Sequence, residues 1–147
     1  MRAALEAAPA HVQRAVAARE AMRLAAVLDL DGTPGLAEAV AAAERGEHVT
    51  VSPTSGLGVH VRSWLERSCQ AGRSLNDFAH SKVNDDERNA AYMPGWFAEA
   101  LNAALWPEPH AAARAALRPL TQGPPLLRDP AWEAAVLEML RNGADSA

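Results

Sequence analysis

The stretch His48–Val83, HVTVSPTSGLGVHVRSWLERSCQAGRSLNDFAHSKV, decides the fold because it divides two long alanine-rich regions and contains the clearest strand pattern in the chain. Val49-Thr50-Val51 is the only β-branched cluster, and alternation over His48–Ser52 predicts a short strand that ends at Pro53. The segment 59–61 either pairs back on this strand as a hairpin or belongs to the helix that follows. The sequence therefore predicts one short strand or hairpin within 48–61.

The rest of the same stretch predicts two helices separated by a glycine. Apolar residues recur on one helical face over 57–71, and Cys69 lies on that face as a small core residue. Gly72 suits the left-handed position that follows a helix C-terminus. Ser74, with an acid three residues later, resembles a capping box and predicts that a second helix begins there.

Working outward, both flanking regions predict amphipathic helices with short breaks. DLDGTPG ends a helix near Leu30 and begins another over 34–45, Pro94-Gly95 breaks the chain again, and Asp129-Pro130 begins the last helix. We expect a mainly all-α protein, a single domain over residues 1–147, built as a bundle of about six to eight short helices. The tail from 143 to 147 is expected to be frayed.

Composition and charge exclude several classes of protein. The chain has 147 residues, 49% hydrophobic and 22% charged, which is typical of a globular domain. A single cysteine excludes an internal disulfide, and the sequence contains no apolar run of about 18 residues that would cross a membrane. Alanine and arginine enrichment with one lysine is typical of GC-rich bacterial genomes. We expect a cytoplasmic protein with no cofactor and no metal.

An acidic motif, Asp29-Leu30-Asp31-Gly32-Thr33, follows the apolar pair Val27-Leu28. It resembles the first motif of the haloacid dehalogenase-like phosphohydrolases, in which an apolar strand leads into D-x-D-G-T. The resemblance implies that Asp29 is a nucleophile and Asp31 an acid/base, with Mg²⁺ bound to both. That chemistry requires a parallel sheet, and the sequence predicts only one strand. We therefore expect a non-enzymatic protein.

The order strand, helix, helix over 48–84 resembles that of the ribbon-helix-helix repressors. This resemblance implies that alternate strand side chains read bases and that the second helix's N-terminus holds a phosphate. The DNA-contact candidates are then His48, Thr50, Ser52, Arg73 and Ser74. A helix-turn-helix over 61–84 is a second form of the same hypothesis. The net charge of −4, with no basic segment, disfavours nucleic acid as a partner.

The remaining hypothesis is a small helical protein that acts through protein–protein contacts, as an adaptor, chaperone, regulatory or accessory subunit. Alanine-rich faces allow helices to approach closely, so another protein or a second copy in a homo-oligomer is the expected partner. The contact candidates are Trp106, Trp96, Phe97 and Leu101. Trp106, placed between a helix end and two prolines, is the aromatic most expected to be exposed.

Overall fold

The computed structural model describes residues 1–76 and 85–146, and these residues form an all-α structure, as the sequence predicts. The described part contains eight α-helices, within the predicted number, and one 3₁₀ turn. In chain order they are α1 (Arg2–Ala7), α2 (Ala10–Val27), α3 (Leu36–Glu44), α4 (Gly56–Asn76), α5 (Asp85–Ala104), α6 (Pro109–Ala116), α7 (Arg118–Gln122), the 3₁₀ turn (Pro125–Leu127) and α8 (Pro130–Asp145).

Helix α2 occupies the centre of the packing, because it contacts α3, α5, α6 and α8. Half of its buried residues are alanines, and the buried set is Gln13, Val16, Ala17, Ala18, Glu20, Ala21, Leu24 and Ala25. Small side chains let neighbouring helices approach closely, and the buried faces of α5 and α6 are also rich in alanine. The large residues of the core come from all parts of the chain and include Leu36, Phe97, Leu101, Leu120, Leu127 and Leu140.

The predicted strand at 48–52 is wrong, because this segment is not part of any sheet and the described residues contain no strand. The chain there is irregular, with Val49 and Val51 half-buried and the side chains between and beside them exposed. The alternation in the sequence therefore corresponds to alternating burial along a loop, in which Val51 packs on the core, and not to a paired strand. Residues 57–61 lie in α4, so the hairpin is also absent.

The predicted helix end at Gly72 is also wrong. Helix α4 continues through Gly72, Arg73 and Ser74 to Asn76, so Ser74 does not begin a new helix. One glycine costs a helix only about 1 kcal/mol, which tertiary packing readily offsets, and α4 packs along α5. The predicted second helix falls largely on residues 77–84, which lie outside the described residues.

Pro94 and Gly95 lie inside α5 instead of breaking it. Gly95 is buried at the contact with α4, where a Cβ atom added to it would lie 2.5 Å from the Cβ of Ser68. Any larger residue would clash there, so the glycine permits the close approach of α4 and α5. The packing of α4 on α5 thus accounts for the glycine of a Pro-Gly pair that the sequence alone predicts to be a helix break.

Two other boundaries differ from the prediction. Helix α3 begins at Leu36 with Gly35 (φ +81°) as its N-cap, two residues later than predicted, and the Thr33 hydroxyl donates to the Leu30 carbonyl instead of capping α3. At the C-terminus, α8 runs through Gly143 to Asp145, beyond the start of the expected tail. Gly143 packs on Val12, where a Cβ would lie 2.6 Å from a methyl group.

A buried polar group connects the second half of α2 to the 3₁₀ turn and α8. The carboxylate of Glu20 is fully buried and accepts two hydrogen bonds from the Arg23 guanidinium, at 2.9 and 2.7 Å, and one from the Trp132 indole, at 2.7 Å. Arg23 also donates to the Leu127 carbonyl, at 2.6 Å. We call these four residues the Trp132 cluster. Each buried polar atom in it has a partner, which is the condition for burying a charge.

Within the described ranges, none of the helices is both long and apolar enough to cross a bilayer.

Candidate protein-binding groove

The corner between α5 and α6 is fixed by the sequence Trp106-Pro107-Glu108-Pro109. The Trp106 amide donates to the Ala103 carbonyl at 3.0 Å, and Pro107 then prevents the helix from continuing. Pro109 begins α6, where a proline replaces an amide that would have no helical partner. Trp106 is therefore held at the surface, and 51% of it is exposed.

Glu108 stabilises this corner as the N-cap of α6. Its two carboxylate oxygens accept hydrogen bonds from the His110 amide, at 3.0 Å, and from the Ala111 amide, at 2.5 Å. These bonds to the Ala111 and His110 amides favour the charged carboxylate and lower the pKa of Glu108, and the proximity of His110 adds to this. The helix N-terminus that adjoins Trp106 therefore carries its own anion.

A cavity of about 730 Å³ lies on one side of Trp106. Its walls come from α1, α6 and α7, so they join the N-terminal helix to the segment after the Trp106 corner. Apolar residues, including Leu5 and Leu117, are mixed with a basic set: Arg2, His110, Arg114 and Arg118. The residues that line this cavity include no acidic side chain.

A second cavity, of about 360 Å³, lies on the other side and is lined by α4, α5, α6 and the start of α7. Leu65 and Trp96 contribute apolar surface, and Glu99 contributes the single acidic group. Trp106, Ala115 and Arg118 line both cavities, so the two adjoin along these residues. We call the pair of cavities the Trp106 groove.

Two arginines of the groove are exposed and make no ion pair with the described side chains, Arg114 on α6 and Arg118 at the start of α7. The Arg118 guanidinium carbon lies 5.3 Å from the centre of the Trp96 ring, a cation–π contact that orients the group. Arg2 is paired with Glu6 across one helical turn at 3.1 Å, and both are largely exposed. Such a pair contributes at most about 1 kcal/mol, so Arg2 exchanges partners readily.

The structure brings two of the four predicted protein-contact residues together. Trp106 is exposed, as predicted, and Trp96 lies beside it, half-buried, in the second cavity. Phe97 and Leu101 are fully buried in the core, where no partner can reach them. They lie on the opposite side of α5, where Phe97 packs on Trp64 with ring centres 5.2 Å apart.

The DNA-contact candidates do not form a surface of the predicted kind. His48, Thr50 and Ser52 are exposed in a loop instead of a paired strand, and the His48 ring and Thr50 hydroxyl lie 3.3 Å apart. Arg73 and Ser74 lie within α4, so they do not form a helix N-terminus.

The phosphohydrolase residues also lie in a different setting from the one their motif requires. The segment before Asp29 is helix α2 instead of a strand, and Asp29 itself has a left-handed backbone (φ +57°) in the turn after it. Asp29 and Asp31 are both exposed. Among the described side chains, no three or more histidine, cysteine, aspartate or glutamate residues are grouped so that they could bind a metal.

Several residues of the groove were not predicted from the sequence. Arg114 and Arg118 are four residues apart, which places them on one side of a continuous helix, and this spacing is a signal that the sequence offered. The contribution of α1 has no such signal, because the packing of α1 beside α6 brings together residues more than a hundred positions apart. Cys69, expected in the core, is exposed on α4.

Comparison of the chain with protein-family models, with curated proteins and with solved structures found no match.

Proposed function

We propose that this protein acts by contact, binding a segment of another polypeptide in the Trp106 groove, and that it catalyses no reaction there. The observation that supports this most directly is the position of Trp106, half-exposed on a corner that two prolines and a capping carboxylate hold in place. Exposed tryptophan on a rigid support is the residue type that most often dominates binding energy at protein interfaces.

The form of the groove supports a linear occupant. Two cavities of about 730 and 360 Å³ share Trp106, Ala115 and Arg118 as lining residues, so an occupant that fills both contacts this shared border. An extended or helical peptide does this by placing side chains on both sides of Trp106. The mixture of apolar walls with a few polar groups is typical of sites that bind by burial and select by hydrogen bonding.

The experiment is a selection of short random peptides displayed on phage, with a Trp106→Ala variant as the counter-selection. We expect peptides enriched on the wild-type protein to bind the variant at least roughly thirtyfold more weakly, because truncating a central tryptophan costs about 2 kcal/mol or more. Fluorescence polarisation of labelled peptides measures the Kd.

Val59→Ala is the matched control, because Val59 is also exposed (47%) but lies on α4 outside the groove. We expect this variant to bind the selected peptides as the wild type does. Far-ultraviolet circular dichroism verifies that both variants keep their helices. Peptides that bind Trp106→Ala and the wild type equally would contradict the proposal, as would a selection that enriches none.

A further inference from the structure

We infer that the segment bound in the Trp106 groove is acidic, with carboxylates that pair with Arg114 and Arg118 and an apolar side chain against Trp106. This inference rests on the proposed function and adds the chemical class of the partner. It depends on the charges of the groove, which the proposal above does not use.

The net charge of the side chains that line the groove is positive, whereas the net charge of the whole chain is negative. The whole chain carries 18 acidic and 14 basic residues, a net charge of −4. The two cavities together are lined by three arginines and one glutamate, and Glu99 lies in the smaller cavity. A positive groove on a net-negative protein attracts acidic segments.

The arginines are also placed to donate hydrogen bonds to a carboxylate. The Arg118 guanidinium carbon lies over the Trp96 ring, 5.3 Å from its centre, and the N–H groups of a guanidinium all lie in its own plane. That geometry suits the parallel pair of hydrogen bonds that a carboxylate accepts. Arg118 lines both cavities, so a carboxylate bound to it would lie next to Trp106.

Arg23 is an example in this protein of an arginine that is already paired with a carboxylate. In the Trp132 cluster, Arg23 donates to both oxygens of Glu20, and the Trp132 indole donates to the same carboxylate. The groove offers the same residue types, arginine and tryptophan, but neither Arg114 nor Arg118 forms an ion pair with a described carboxylate. An acidic residue of a partner supplies the missing component.

The test uses an acidic peptide from the selection and an analogue in which every Asp and Glu is replaced by Asn and Gln. We expect the neutral analogue to bind at least about tenfold more weakly, and added salt to weaken the acidic peptide far more than the analogue. Arg114→Gln and Arg118→Gln are each expected to weaken the acidic peptide roughly tenfold, with little effect on the analogue.

Two further variants separate charge from geometry. Arg118→Lys keeps the charge but loses the planar pair of donors, so we expect it to recover only part of the affinity that Arg118→Gln loses. Arg141→Gln removes an exposed arginine of α8 outside the groove and is expected to bind as the wild type does.

The outcomes distinguish this inference from the proposed function. If selected peptides are neutral, and depend on Trp106 but not on Arg114 or Arg118, the acidic partner is wrong while the contact function stands. If single-stranded oligonucleotides bind through these arginines and acidic peptides do not, the inference is likewise overturned. If binding does not depend on Trp106 at all, the proposed function fails first.

Discussion

The Trp132 cluster and the Trp106 groove both contain arginine and tryptophan side chains. They differ in whether these side chains are bonded to a carboxylate. In the cluster, arginine and tryptophan converge on the buried carboxylate of Glu20. In the groove, the Arg118 guanidinium lies over the Trp96 ring and the adjacent Trp106 is half-exposed. Satisfied polar groups fix how the helices are packed, whereas available ones provide binding energy to a partner.

The largest predicted difference is between the effects of substituting Arg23 and Arg114 on the free energy of unfolding. Arg23→Ala leaves the Glu20 carboxylate buried without its charged partner, and we expect the free energy of unfolding to fall by about 3 kcal/mol or more. Arg114→Ala removes an exposed arginine from a helix surface and is expected to change it by less than about 0.5 kcal/mol. Urea unfolding followed by circular dichroism measures both, and equal effects would remove the distinction between the two regions.

An intermediate difference in the free energy of unfolding is expected between substitutions of Trp132 and Trp106. Trp132→Phe removes the indole N–H that donates to Glu20, so we expect a loss of about 2 kcal/mol, typical of a hydrogen bond to a charged group. Trp106→Phe keeps an aromatic ring at a half-exposed position and is expected to cost less than about 0.5 kcal/mol. A Trp132→Phe protein as stable as the wild type would show that the indole contributes only packing.

The smallest expected effect on stability is that of substituting the exposed carboxylate of Glu108. Glu108 is exposed and has a lowered pKa, so the stability it contributes is present above its unfolded-state pKa and is lost as the pH falls through its folded-state pKa. We therefore expect Glu108→Gln to be less stable than the wild type near neutral pH and the difference to shrink in acid. Urea midpoints over a pH series check this, and a difference that does not change with pH would contradict it.

Much of the architecture was predictable because it depends on local signals. Helical spacing of apolar residues, the break at Trp106-Pro107 and the cap at Asp129 with Pro130 all act within a few residues, and all are present in the structure. The exposure of Trp106 followed from the same local reasoning.

The errors have a common physical cause, which is that distant contacts override local preference. Val49 and Val51 favour a strand, but residues 1–76 and 85–146 offer no second strand for pairing, and Gly95 favours a break but fits against Ser68 of another helix. Glu20 is a charged residue, yet it is buried, because Arg23 and the distant Trp132 donate hydrogen bonds to its carboxylate.

The span of the Trp132 cluster has a consequence for synthesis on the ribosome. Arg23 and the Leu127 carbonyl are 104 residues apart along the chain, and Glu20 and Trp132 are 112 apart. A nascent chain that does not yet include Trp132 must keep the Glu20 charge in water, because a group that completes its burial has not been made. Synthesis of helix α8 therefore completes the burial of a charge that was made more than a hundred residues earlier.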